Sequence, residues 1–115
     1  MSGNTARIKL RKDNIIICKS DLPSEYIKLI KKNKIVAWDI ETSSLDWKRG
    51  NIGLCQLFTP PDQVVIIKID ESVPNNLSLL LSENSIKKVF HHAMFDLRFM
   101  SYHWKITPKN IACTK

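Results

Sequence analysis

The sequence predicts an α/β fold, a mixed sheet with helices packed on it. Three observations lead there. Short β-branched and apolar runs of strand length recur along the chain. Segments with apolar residues at helical spacing lie between them. The resulting order is strand, helix, three strands, helix, strand, helix, so strands that follow one another directly precede strand–helix units. A chain of 115 residues, 43% hydrophobic and 25% charged, with three glycines and five prolines, supports one globular domain and excludes a disordered or fibrous one.

Residues 1–13 read as a basic, flexible lead-in to a domain spanning 14–115. Residues 14–18 carry Ile15, Ile16 and Ile17, a strand signal. Asp21 or Ser24 is placed to cap a helix with Pro23 near its first turn. Leu22, Tyr26, Leu29 and Ile30 then recur at helical spacing, with Glu25, Lys28, Lys31 and Lys32 on the other faces. Residues 35–40 form an apolar strand expected to be buried on both faces. Residues 53–58 and 64–69 are further strands. The turn signal Thr59-Pro60-Pro61-Asp62-Gln63 between them makes them antiparallel neighbours. Pro74 opens a helix covering Leu77, Leu79, Leu80 and Leu81. Residues 86–90 are a strand and 93–102 a helix, and residues 110–113 begin either a strand or a helix.

Several functional classes are excluded by composition. No apolar run approaches the ~18 residues that a membrane span needs, and the polar, basic first residues are followed by no secretory core. Cys18, Cys55 and Cys113 are odd in number and far apart, which fits neither a disulfide framework nor a zinc knuckle. A reducing, cytoplasmic compartment is the expectation. Gly3, Gly50 and Gly53 form no GxGxxG, so no dinucleotide-binding loop is present. The net charge of +7 and pI near 9.5 favour a polyanionic partner, nucleic acid first. The basic residues are spread over Arg7, Lys9, Arg11, Lys12, Lys28, Lys31, Lys32, Lys34, Lys87, Lys88 and Arg98, a distribution that also serves plain solubility.

The chemistry is concentrated in two stretches. In Ile35-Val36-Ala37-Trp38-Asp39-Ile40-Glu41-Thr42 an apolar strand ends in two carboxylates two residues apart. Strand side chains alternate, so Asp39 and Glu41 share a face. Their mutual repulsion is relieved by a divalent cation, and carboxylate oxygen is what Mg²⁺ and Mn²⁺ prefer. The bland alternative is a pair of solvated acids at a sheet edge. The second stretch, Val89-Phe90-His91-His92-Ala93-Met94-Phe95-Asp96-Leu97-Arg98-Phe99, passes from strand to helix and places Asp96 in the first helical turn. Asp96 is either a routine acid favoured by the helix dipole or a third metal-site carboxylate. His91 and His92 suit zinc better than magnesium, which makes packing or substrate contact the better reading for them.

Together the two stretches are similar to the DEDD superfamily of 3′–5′ exonucleases, and most of all to its ribonuclease D-like branch. The resemblance rests on Asp39-Ile40-Glu41-Thr42-Ser43-Ser44-Leu45-Asp46, Ile52-Gly53-Leu54-Cys55-Gln56-Leu57, and His91-His92-Ala93-Met94-Phe95-Asp96-Leu97-Arg98-Phe99-Met100. It implies a ribonuclease H-like mixed sheet flanked by helices. It also implies hydrolysis of a phosphodiester at a nucleic-acid 3′ end by two divalent metal ions, Mg²⁺ or Mn²⁺. Asp39 would bridge both ions, Glu41 would bind the first, and Asp96 would hold the second directly or through water. Thr42, Leu45 and Phe95 would meet the 3′-terminal nucleotide, and His92, standing where the family often has Asn, would meet substrate or solvent.

The family's third motif, a Tyr or His with Asp four residues later, does not occur in these 115 residues. Tyr102 and His103 are followed at that distance by Ile106 and Thr107, and no acid of any kind follows Asp96. The expectation is therefore a fold lacking its C-terminal part, with residues 110–115 leading into a helix, and with a missing C-terminal segment or a partner chain completing it. The competing readings are an inactive nucleic-acid-binding module of the same fold and a subunit that completes another chain's sheet.

Overall fold

The computed structural model describes residues 8–9 and 15–114. Its elements in chain order are β1 (Ile8–Lys9), β2 (Ile15–Lys19), α1 (Ser24–Asn33), β3 (Ile35–Thr42), β4 (Ile52–Thr59), β5 (Gln63–Lys68), α2 (Asn75–Ser82), β6 (Lys87–Phe90), α3 (Ala93–Trp104) and β7 (Ile111–Cys113). The strands form one mixed sheet in the order β1-β2-β5-β4-β3-β6-β7. Ile8 and Lys9, inside the expected lead-in, pair antiparallel with β2, and the rest of that lead-in lies outside the described residues. The last short segment is a strand, parallel to β6, and not the start of a helix.

The turn at residues 60–62 does make β4 and β5 antiparallel neighbours, with Phe58 opposite Val64 and Cys55 opposite Ile67. β3 sits between β4, its antiparallel partner, and β6, its parallel one, with Ala37 opposite Val89. The carboxyl ends of β3 and β6 therefore lie side by side, which brings the two acid-bearing stretches to one corner.

One face of the sheet is covered. Val36, Trp38 and Ile40 of β3 join Tyr26 and Ile30 of α1, Leu77, Leu80 and Leu81 of α2, and Phe99, Met100 and Trp104 of α3 in a single core. Trp38 anchors it, stacked on Phe90 at 5.7 Å between ring centroids and tilted against Trp104 at 6.5 Å. The expectation that β3 is buried on both faces is not met: its residues alternate, with Ile35, Ala37, Asp39 and Glu41 exposed. The helices pack on one side only. By register the other side presents Ile35, Ala37, Phe58, Val64 and Val89, with Ile35 36% and Phe58 40% exposed. A shallow depression of about 430 Å³ lies there, bordered by Asp39 and His91.

Two local readings are also corrected. Neither Asp21 nor Ser24 caps α1, whose N-cap is Pro23 with no side-chain cap bond. Asp21 instead caps α2 from across the fold. Its Oδ2 accepts from the Asn76 N–H at 2.7 Å and its Oδ1 from that of Leu77 at 3.0 Å. The N-cap residue of α2 is Pro74, which makes no such bond itself. Asp21→Ala is expected to lower unfolding free energy by about 0.5–2 kcal/mol, read by urea denaturation, while Ser24→Ala changes little. Lys88 is not part of the basic surface. It is fully buried, its Nζ donates to the Glu83 carbonyl, and burial holds its pKa down to about 8. Leu79 is the outward residue of α2, 65% exposed.

Candidate active site

Asp39 and Glu41 emerge at the end of β3 on one face, as their spacing requires, and both are exposed. The register of the β3–β4 pair shifts between Glu41 and Thr42, so the ladder loosens where the acids end. Asp96 reaches the same corner from the first turn of α3 and is only 4% exposed. Its carboxylate accepts a hydrogen bond from the Ile40 N–H, between the two strand acids. Its Oδ2 is buried with no hydrogen-bond partner.

The electrostatics follow from that placement. Burial first, then the charges of Asp39 and Glu41, push the Asp96 carboxyl up to about 7 from an ordinary value near 3.8, against the opposing pull of the Ile40 N–H. Between those two values the folded chain binds more protons than the unfolded one. This contribution to stability is complete below about pH 4 and is lost as pH rises through about 7. In metal-free buffer the wild type is expected to lose ~2–4 kcal/mol on this account. Asp96→Asn removes the loss, so denaturation of the two proteins at pH 5 and pH 8 should show the variant gaining on the wild type at the higher pH.

The donor chemistry of this corner, though not its geometry as it stands, suits a divalent cation. A buried carboxylate oxygen without a partner, beside two exposed carboxylates, is a hard-oxygen donor set short of positive charge. The chain does not preform a complete cage: among the described residues no group of three or more His, Cys, Asp or Glu side chains stands in ligand geometry.

The remaining site residues lie around the corner. Thr42 Oγ1 donates to the Ser44 carbonyl at 2.8 Å, so its hydroxyl shapes the loop that follows β3. Leu45 is 84% exposed at the tip of that loop and is no part of the core. Phe95 is half-buried, its ring centroid 5.2 Å from that of Phe99. His92 is exposed, with φ of 57°, and is the N-cap residue of α3 without a side-chain cap bond. His91 packs edge-on against it, and its Nδ1 lies 3.0 Å from Thr114 Oγ1. The contacts of the two histidines run to each other and to Thr114.

In the loop of residues 43–51 sequence reasoning singled out Leu45 but missed Trp47, Gly50 and their packing on α3. Gly50 is buried where a Cβ would lie 2.7 Å from Ser44 Oγ, 2.9 Å from the Asp46 carbonyl and 3.2 Å from Phe99. Only glycine permits that approach, so Gly50 lets the loop fold down onto α3. His103 Nε2 lies 2.9 Å from the Trp47 carbonyl and ties the loop to the same helix. The signal available in sequence was Trp47-Lys48-Arg49-Gly50, an aromatic and two cations before a glycine just after the acidic strand.

A 3′–5′ exonuclease family profile matches residues 14–115. Among solved structures, the chain resembles one described as the apo form of a nuclease, with 25% identity and a TM-score of 0.80 over 88% of this chain and 49% of that one. It resembles Brucella melitensis NrnC with bound Mg²⁺, with 31% identity and a TM-score of 0.74, over 84% and 48% of the two chains. Escherichia coli RNase D shares the fold at 19% identity and a TM-score of 0.66, over 84% of this chain and 26% of that one. The chain spans about half the length of the first two. It matches no curated protein sequence.

Proposed function

This chain belongs to the 3′–5′ exonuclease domain family, and from that premise we propose that it hydrolyses phosphodiesters at nucleic-acid 3′ ends with divalent metal. The observation that carries the proposal is the corner where β3 and α3 meet, with Asp39, Glu41 and the unpartnered Oδ2 of Asp96. Two ions, Mg²⁺ or Mn²⁺, would supply an activated water and neutralise the leaving 3′ oxygen. Asp39 and Glu41 would bind from the exposed side of the strand. Asp96, whose carboxyl is pushed up to about 7, would bind from the buried side.

Thr42 holds the loop against which the terminal nucleotide rests, with Leu45 on its base and Phe95 and His92 bordering it. Leu45 supports this role because an 84% exposed leucine has no packing duty of its own. The substrate is RNA or DNA, and the reaction is assigned to the cytoplasm. No helix of the described residues is long and apolar enough to cross a membrane.

A further segment completes the site, either continuing this chain or supplied by a partner. It brings the acid and water-orienting group of the third motif and packs on the open sheet face at Ile35, Ala37, Phe58 and Val64. The apolar character of that face supports the reading, as does the half-length match to the solved nucleases. The test is digestion of 5′-labelled single-stranded RNA and DNA with Mn²⁺, Mg²⁺ or EDTA, with and without that segment. A ladder shortening from the 3′ end and abolished by EDTA is expected. Salt-sensitive binding without cleavage in any arm favours the inactive binding module.

A further inference from the structure

On the exonuclease reading, we propose that the outer face of α3 and the loop of residues 43–51 form a binding track for single-stranded nucleic acid upstream of its 3′ end. The track is an apolar groove of about 740 Å³ whose lining includes Trp47, Met94, Leu97, Arg98 and Tyr102. Met94, Leu97, Arg98, Ser101, Tyr102 and Lys105 follow one another at three and one residue steps, which places them on one face of the helix, away from buried Phe99, Met100 and Trp104.

Its chemistry combines stacking surface with positive charge. The Trp47 ring meets Tyr102 edge-on at 5.1 Å. Lys48 Nζ lies 5.3 Å and Arg98 Cζ 5.6 Å from the centroid of Trp47, and Lys105 Nζ lies 5.0 Å from that of Tyr102. Tyr102 is 41% and Met94 69% exposed. Aromatic faces interleaved with cations are what unpaired bases and their phosphates require, since every base has a face to stack and every linkage a charge to neutralise. An apolar protein partner would have no use for three cations on two rings.

The groove and the carboxylate corner are built on the same elements, α3 and the loop that follows β3. Trp47 is on the loop that leaves β3 after Thr42, and Arg98 lies two residues past Asp96 on the same helix, on its outward face. Between them the rings of Phe95, Phe99 and His103 run in contact, at 5.2 and 5.8 Å. His103 holds the Trp47 backbone, so the platform is fixed to the helix that positions Asp96. A strand with its 3′ end in the corner extends over this surface. A dinucleotide occupies the corner alone.

The test measures two quantities in parallel: affinity for a single-stranded RNA decamer in EDTA, and Mn²⁺-dependent hydrolysis of a dinucleotide. Trp47→Ala is expected to weaken decamer binding roughly 5- to 100-fold. Arg98→Ala is expected to flatten the dependence of log affinity on log salt by about 0.7. Met94→Glu puts an anion on an exposed position of the groove with little risk to folding and weakens decamer binding as well. A wild type that does not bind the decamer, or a folded Met94→Glu that binds it as tightly as the wild type, overturns the track whatever the dinucleotide does. Failure of the exonuclease reading shows separately, as no hydrolysis of either substrate, while decamer affinity still reports on the groove.

Discussion

Asp39→Asn is expected to reduce 3′-end hydrolysis by about 10³-fold or more. The substitution keeps the shape of the side chain and removes a formal charge from the exposed side of the corner. A catalytic metal typically contributes several kcal/mol of transition-state stabilisation, and each ~1.4 kcal/mol is a factor of ten in rate. The other two acids do not compensate. Asp96 already has its carboxyl pushed up to about 7 by burial and the neighbouring charges, so it needs the cation to ionise fully at neutral pH. The folded structure should be unchanged, because Asp39 is exposed and lies off the core face of β3. The check is the labelled-oligonucleotide ladder beside near-ultraviolet circular dichroism. Loss of the ladder with an intact spectrum assigns the effect to chemistry.

Trp38→Ala is expected to cost about 3–5 kcal/mol of stability. Trp38 is 2% exposed and sits between Phe90 at the end of β6 and Trp104 at the end of α3. Removing it leaves a cavity under the helical layer packed on this sheet, and the stacking with Phe90 goes with it. Domains of this size have about 5–15 kcal/mol in all, so the loss is a large fraction. Metal binding should weaken in parallel, since Asp39 and Asp96 are set by the same strand and helix. Ile35→Ala, on the uncovered side of the same strand, should change the urea midpoint by much less.

Much of this was legible in sequence because it depends on local period. The two-residue spacing of Asp39 and Glu41 settles their shared face, and the strand-to-helix switch at residues 90–93 settles where Asp96 begins its turn. The proline turn between β4 and β5 was equally local. What was not legible depends on partners far away in the chain. Asp21 looks like the cap of the helix that follows it, and only the fold reveals that it caps α2, 55 residues on. Lys88 sits in a run with Lys87 and looks solvated, yet strand alternation sends it inward to the Glu83 carbonyl. The apolar run of β3 promised burial on both faces, but whether a layer covers the second face cannot be read from the strand itself. Gly50 carries no signal without Phe99 beside it.

The claim at the centre of the account is that Asp39, Glu41 and Asp96 act together on a divalent cation. Calorimetric titration of Mn²⁺ into the wild type, Asp39→Asn and Asp96→Asn at pH 7.5, with the same titration of the wild type at pH 5.5, tests it most directly. Binding is expected in the wild type at pH 7.5, weakened by protonation of Asp96 at pH 5.5, weakened in Asp96→Asn and abolished in Asp39→Asn. Equal Mn²⁺ affinity in all three proteins, or no binding in the wild type, would contradict it.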